Sequence, residues 1–196
     1  MSDYRELFYK KYNSTYKEYI FTESPEAIAS YWRKLRRKIL PLISEYSFKV
    51  NILDLGCGHG YIMQSLRSEG YKNIAGIDIY DEQIAKDKKK GLNVKVGNVF
   101  NDLNIEYNKY DIIIAFDFIE HFNKTELIDL ITIINKALKE DGILLIHTPN
   151  GQGIFTQKIT YGDLTLLTIV TTNFLIQLLK LDGFAEIQLL RAALLL

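Results

Sequence analysis

Only one cysteine, Cys57, occurs in 196 residues. A disulfide framework and a multi-cysteine metal centre are therefore both excluded within the chain, and no metal site is expected. Charge of one sign is also lacking: Lys+Arg and Asp+Glu each number 24. A zero balance argues against a dedicated nucleic-acid binder, which carries a basic excess. No apolar run approaches the roughly 18 residues of a membrane span. The first residues, "MSDYRELFYKKY", lack the apolar stretch of a signal peptide, so a cytoplasmic protein is expected. Internal repeats and low-complexity linkers are missing too.

What remains is an ordinary soluble composition, 47% apolar and 24% charged, at a length that fits one domain. From about Ile52 to Asn150 strand-like and helical patterns alternate. "NILDLG", "NIAGIDIY", "NVKVGNVF", "YDIIIAFDFIEHF" and "GILLIHTPN" read as five strands. Between them "YIMQSLRSEGY", "DEQIAKDKKKG" and "NKTELIDLITIINKALKEDG" have helical spacing. That rhythm predicts an α/β fold, a doubly wound Rossmann-like and mostly parallel sheet with helices on both faces. Residues 1–49 are predicted to form a helical N-terminal cap rich in aromatics (Tyr4, Phe8, Tyr9, Tyr12, Tyr16, Tyr19, Phe21, Tyr31, Trp32). Those aromatics either pack on the sheet or line a substrate pocket. Residues 50–150 form the core. Residues 151–196 supply a loop, a helix "NFLIQLLKLDG" capped by Thr171 or Thr172, and a last strand "AEIQLL".

In "NILDLGCGHGYI" glycine alternates three times, at Gly56, Gly58 and Gly60. A glycine turn between strand and helix lets a ligand approach the backbone. The dinucleotide fingerprint requires G-x-G-x-x-G, and the third position here is Tyr61. The pattern fails there. Asp54 precedes the glycines, able to orient the loop or to meet a cationic part of a ligand. Asp78 ends the next strand, placed to accept both hydroxyls of a ribose, although it also reads as a cap for the helix that follows. Together these point to a nucleoside with a positive amino-acid end and no phosphates, which is the shape of S-adenosylmethionine.

"ILDLGCGHG", "GIDIY", "VGNVF", "YDIIIAFDFIEHF" and "GILLIHTPN", in this order, resemble the motifs of class I S-adenosylmethionine-dependent methyltransferases over about residues 48 to 150. The resemblance implies that Gly56, Cys57 and Gly58, with Gly60 in the same loop, bracket the methionine part of the cofactor while Asp54 orients the loop. It implies Asp78 on the ribose and Ile79 against the adenine face. Asn98 and Val99 stand where the family often has Asp plus an apolar residue to read adenine, and Asn can still accept a hydrogen bond. Phe116 and Asp117 fall beside the methyl-donor end. Cys57 reads as a packed residue, since nothing marks it as a thiolate.

Methyl transfer from a sulfonium needs alignment, and a base only where the acceptor must lose a proton. His121 in "DFIEHF" is the candidate base, with packing at the loop-to-helix junction as its alternative. Glu120 reads as structural, and His147 as a buried, satisfied histidine within the fifth strand. "YGDLT" resembles a substrate loop of methyltransferases from sugar and polysaccharide pathways, in which Tyr161, Asp163 and Thr165 meet a hydroxylated acceptor. "RKLRRK", Arg33 to Lys38, is either a solvated face or an attractor for a phosphorylated acceptor. The family closes its sheet with a β-hairpin; "AEIQLLRAALLL" supplies one strand and an apolar end, so that hairpin is expected to be missing or altered. A bare edge favours pairing with another subunit, as in a homodimer, or a substituted packing. The expected function is O-methylation of a small-molecule or glycan acceptor with S-adenosylmethionine, leaving S-adenosylhomocysteine. A nicotinamide-dependent oxidoreductase and a non-catalytic cofactor-binding module are its rivals.

Overall fold

The computed structural model describes residues 24–153 and 162–190. Five strands build one sheet: β1 (Asn51–Leu55), β2 (Asn73–Asp78), β3 (Val94–Val96), β4 (Tyr110–Phe116) and β5 (Leu138–His147). Their order is β3-β2-β1-β4-β5, and every pairing is parallel. The helices are α1 (Pro25–Ile43), α2 (Tyr61–Ser68), α3 (Asp81–Lys89), the single turn α4 (Val99–Asp102), α5 (Lys124–Ala137) and α6 (Thr172–Leu181). The strand order reverses beside β1, so β1 and β4 flank the switch point, where ligands of such sheets bind.

Alternation along the central strands sends successive side chains to opposite faces. Ile52, Ile112 and Ile114 pack with Ile39 and Ile43 of α1 and with Ile62, Met63 and Leu66 of α2. Leu53, Leu55, Ile113 and Ala115 pack with α5 and with Leu178 and Leu179 of α6. Because both faces are covered, Ile112, Ile113 and Ile114 are all fully buried, and a continuous β-branched run is what such a strand requires. Each buried aliphatic side chain contributes about 1.5–3 kcal/mol by leaving water. Asn123 and Glu126 close a reciprocal capping box at the start of α5, and Thr171, not Thr172, caps α6 by accepting from Phe174 N.

Three boundaries differ from the sequence-based expectation. The helix expected to run to Gly142 stops at Ala137, and Leu138 already pairs with Tyr110 before a register shift. Lys139 Nζ reaches both oxygens of Asp111 at 2.8 and 2.9 Å, so tertiary pairing overrides the helix propensity of "LKEDG". The third strand is only Val94–Val96. Its continuation bends because Gly97 N donates to Asp78 O and Asn98 turns to cap α4. The expected strand "AEIQLL" is not formed: residues 184–190 are irregular, with Leu189 and Leu190 exposed. A strand persists only when a neighbour takes its backbone groups, and among the described residues none pairs on the outer edge of β5. The aromatics from Tyr4 to Phe21, and Tyr161, lie outside the described residues. Trp32 is partly buried on α1.

Candidate active site

The loop after β1 holds all three glycines in the left-handed region, φ 67° at Gly56, 51° at Gly58 and 64° at Gly60. That conformation is costly for any residue with a Cβ. Space forbids a side chain as well: a Cβ on Gly56 would stand 2.5 Å from Phe118 Cδ2, and one on Gly60 would collide with Leu92. The loop closes on itself and on β2. Gly56 N and Cys57 N donate to Ile77 O at 2.9 and 3.2 Å, and Gly60 N donates to Cys57 O at 2.8 Å. Gly58 N donates to Asp78 Oδ2 at 2.7 Å. Gly56→Ala is expected to destabilise the fold by about 2 kcal/mol, from left-handed strain plus displacement of the Phe118 ring. Urea unfolding checks this, and an unchanged midpoint would remove the packing argument.

Asp78 does not cap α3 itself. Tyr80 is the N-cap and lacks a side-chain bond, while Asp78 Oδ1 accepts from Tyr80 N at 3.0 Å. Two backbone amides, from the glycine loop and from the start of α3, thus anchor the carboxylate. Beside it Ile79 is 43% exposed and Val96, at the end of β3, 48% exposed. Two exposed apolar side chains thus stand at adjacent strand ends. Val96 was not singled out from the sequence, where "VKV" offers only strand alternation. Asn98 is exposed, and its Oδ1 accepts from Phe100 N at 2.9 Å, so the oxygen expected to meet adenine is already shared with a helix cap. Val99 beneath it is buried.

Asp54 is 1% exposed and its Oδ2 has no hydrogen-bond partner. Burial first, and the neighbouring Asp78 second, push its carboxyl well above the usual range. That orphaned oxygen at the foot of the loop lacks a polar partner that a ligand could supply, and an ammonium beside it would draw the carboxyl back toward its ionised form. The residues present thus fit the family's cofactor in kind: a buried acid with an unpartnered oxygen beneath the loop, a second acid anchoring the loop, and exposed apolar side chains at the neighbouring strand ends. Cys57 is buried against Gly76, and burial pushes its thiol up, away from thiolate chemistry.

Across the switch point, β4 ends in Phe116 and the left-handed Asp117, φ 48°. Asp and Asn adopt that region more readily than other non-glycine residues, and Asn108 does so too, at φ 49°. His147 is not buried inside its strand as expected; it ends β5, with its side chain 29% exposed. Its ring lies 5.3 Å from that of Phe116. Its Nδ1 lies 2.8 Å from Asp117 Oδ1, and its Nε2 lies 3.0 Å from Lys38 Nζ of α1. His121, in the short turn Ile119–His121, bonds through Nδ1 to Thr165 O at 3.2 Å. Glu120 is buried and accepts from Thr148 Oγ1 at 3.1 Å. Asp163 and Thr165, expected to meet an acceptor, are buried and bonded to each other at 2.6 Å. They shape the loop rather than face outward. On α1 Arg36 pairs with Glu69, and Arg33, Lys34 and Arg37 are exposed, a largely solvated face from which Lys38 departs.

A parallel sheet with a three-glycine loop after β1 and an acid gripping that loop from β2 defines the Rossmann-like methyltransferase class of fold. A family model described as a methyltransferase domain matches residues 27–189, and the chain belongs to that family. It is 32% identical over 117 residues to a ubiquinone biosynthesis O-methyltransferase of Rickettsia akari, covering 58% of this chain and 45% of that protein. It is 30% identical over 159 residues to a malonyl-[acyl-carrier protein] O-methyltransferase of Priestia megaterium, covering 78% and 54%. The chain spans about a quarter to a half of the curated relatives it matches. A crystal structure of a SAM-dependent methyltransferase from Archaeoglobus fulgidus superposes with a TM-score of 0.71 at 24% identity, over 94% of this chain and 76% of that one. That likeness concerns the fold. No helix among the described residues is long and apolar enough to cross a membrane.

Proposed function

We propose that this chain transfers a methyl group from S-adenosylmethionine to an oxygen of a small-molecule acceptor. The observation that carries the reading is the glycine loop itself, closed by Asp78 and underlain by the orphaned oxygen of Asp54. A pyrophosphate would need outward amides, and those of Gly56, Cys57, Gly58 and Gly60 are already spent on Ile77, Asp78 and Cys57. That counts against a nicotinamide dinucleotide. Oxygen as the acceptor atom is favoured by the names of two relatives, both O-methyltransferases, and a glycan hydroxyl falls within the same chemistry.

When bound, S-adenosylmethionine supplies the activated methyl group. Asp54 and Asp78 hold its amino-acid and ribose ends, Ile79 and Val96 flank its base, and Asn98 shares its oxygen between the helix cap and the adenine. Phe116 and Asp117 face the reacting end. His121, tied to Thr165, is one of two imidazoles at this edge with the chemistry to receive an acceptor proton. The test is calorimetric titration with S-adenosylmethionine, S-adenosylhomocysteine and NADH. Micromolar binding of the two adenosyl ligands and none of NADH is expected. Binding of NADH alone would replace this reading by the oxidoreductase one, and adenosyl binding without turnover of any oxygen acceptor would favour a non-catalytic module.

A further inference from the structure

Lys38, Asp117 and His147 come from three elements, α1, the end of β4 and the end of β5, and meet at the carboxyl edge of the sheet. The contacts are directional. Asp117 Oδ1 accepts the Nδ1 proton of His147 at 2.8 Å. That leaves Nε2 as the basic nitrogen, and it takes the proton-rich Lys38 Nζ at 3.0 Å. A second bond, Asp117 N to His147 O at 2.8 Å, locks the two strand ends together. The left-handed backbone of Asp117 is retained although only a short polar side chain tolerates it. His121 stands apart from this group, its Nδ1 lying 3.2 Å from the carbonyl oxygen of Thr165.

We propose that His147 is the proton acceptor for a hydroxyl substrate, with Asp117 and Lys38 as its positioning residues. The proposal rests on the methyl-transfer reading. The acceptor oxygen enters at Nε2 in place of Lys38 Nζ. Its lone pair forms the new bond to the methyl carbon while the carbon–sulfur bond breaks onto the sulfonium sulfur. The hydroxyl proton passes to His147 Nε2, and Asp117 stabilises the imidazolium through Nδ1. Displaced from the ring, the Lys38 ammonium turns to the acceptor's remaining polar atoms. The class of substrate this suits is a hydroxyl compound, phenol or sugar. A carboxylate needs no base.

The chain has three histidines, so imidazole nitrogen NMR on the full-length 15N-histidine-labelled protein, assigned with His147→Gln, resolves them. His147 is expected as the Nδ1–H tautomer, mixed in Asp117→Asn and released from its Nε2 hydrogen bond in Lys38→Met. Its Nε2 resonance is expected to differ between the S-adenosylmethionine and S-adenosylhomocysteine complexes, since only the first places a sulfonium charge nearby. Identical His147 signals in two saturated complexes would overturn the proposal and leave the methyltransferase reading standing. Failure of both ligands to bind would overturn that reading itself. With 3,4-dihydroxybenzoate as the hydroxyl probe, His147→Gln is expected to lower kcat about 10²-fold or more at little-changed KM, in a variant that still binds S-adenosylhomocysteine. A wild-type kcat in that variant would also overturn it.

Discussion

Asp78→Ala is expected to weaken S-adenosylmethionine binding by ten- to a hundredfold in calorimetry. The side chain performs two tasks from one buried position. It grips Gly58 N and Tyr80 N at 2.7 and 3.0 Å, and in the proposed cofactor reading it also accepts from the ribose hydroxyls. Charge-assisted hydrogen bonds contribute about 1.5–3 kcal/mol each, and tenfold in affinity is about 1.4 kcal/mol, so losing one ribose contact already reaches the lower figure. The loop grip adds to it, because Gly58 N is left with no acceptor in a buried place. Asp78→Asn separates the two tasks: its amide oxygen keeps one backbone bond while the charge is gone. The asparagine variant should therefore bind between wild type and alanine. Equal affinity of all three proteins would remove Asp78 from the binding site.

The loop and strand-end part of the candidate site was legible in the sequence because its signals are local. Asp54, the three glycines and Asp78 lie within 25 residues of one another along the chain, and each carries a signal of its own: positive φ, strand-end acid, a broken dinucleotide spacing. Strands β1 and β4 were equally plain, because burial on both faces writes itself as an unbroken apolar run. What could not be read depends on long-range pairing. Nothing near Lys139 announces that Asp111 will draw it out of a helix. The last strand has alternation without a partner, and alternation alone makes no ladder. His147 sits in an apolar run that looks buried, yet the outer edge of β5 leaves it half open and 30 residues from Asp117, 109 from Lys38. Asp163 and Thr165 looked like ligand contacts because "YGDLT" is a polar segment in an apolar tail that resembles a substrate loop. Their mutual bond at 2.6 Å is a tertiary outcome.

Glu120→Gln is expected to flatten the fall in stability of the protein between pH 5 and 8. Burial first, and Asp117 second, push the Glu120 carboxyl from its ordinary 4.5 up to about 8. The folded protein thus keeps a proton that the unfolded chain releases, and stability declines wherever the unfolded state binds fewer protons. The contribution is complete below about pH 4.5 and lost as pH rises toward 8. At ~1.4 kcal/mol per unit the limit is about 5 kcal/mol, with Asp54 adding in the same direction. Urea midpoints at pH 5, 6, 7 and 8 should converge on the variant's value at the acid end and fall below it at the alkaline end. Parallel slopes would show that Glu120 titrates alike in both states. Glutamine remains able to accept from Thr148 Oγ1, and the backbone carbonyl at position 120 still takes Leu167 N and Thr168 N, so the loop over the site stays tied. The pH window also bears on catalysis. Above about pH 8 the Glu120 carboxyl ionises beside Asp117, the residue proposed to position His147, so the event that destabilises the fold also adds a negative charge next to it.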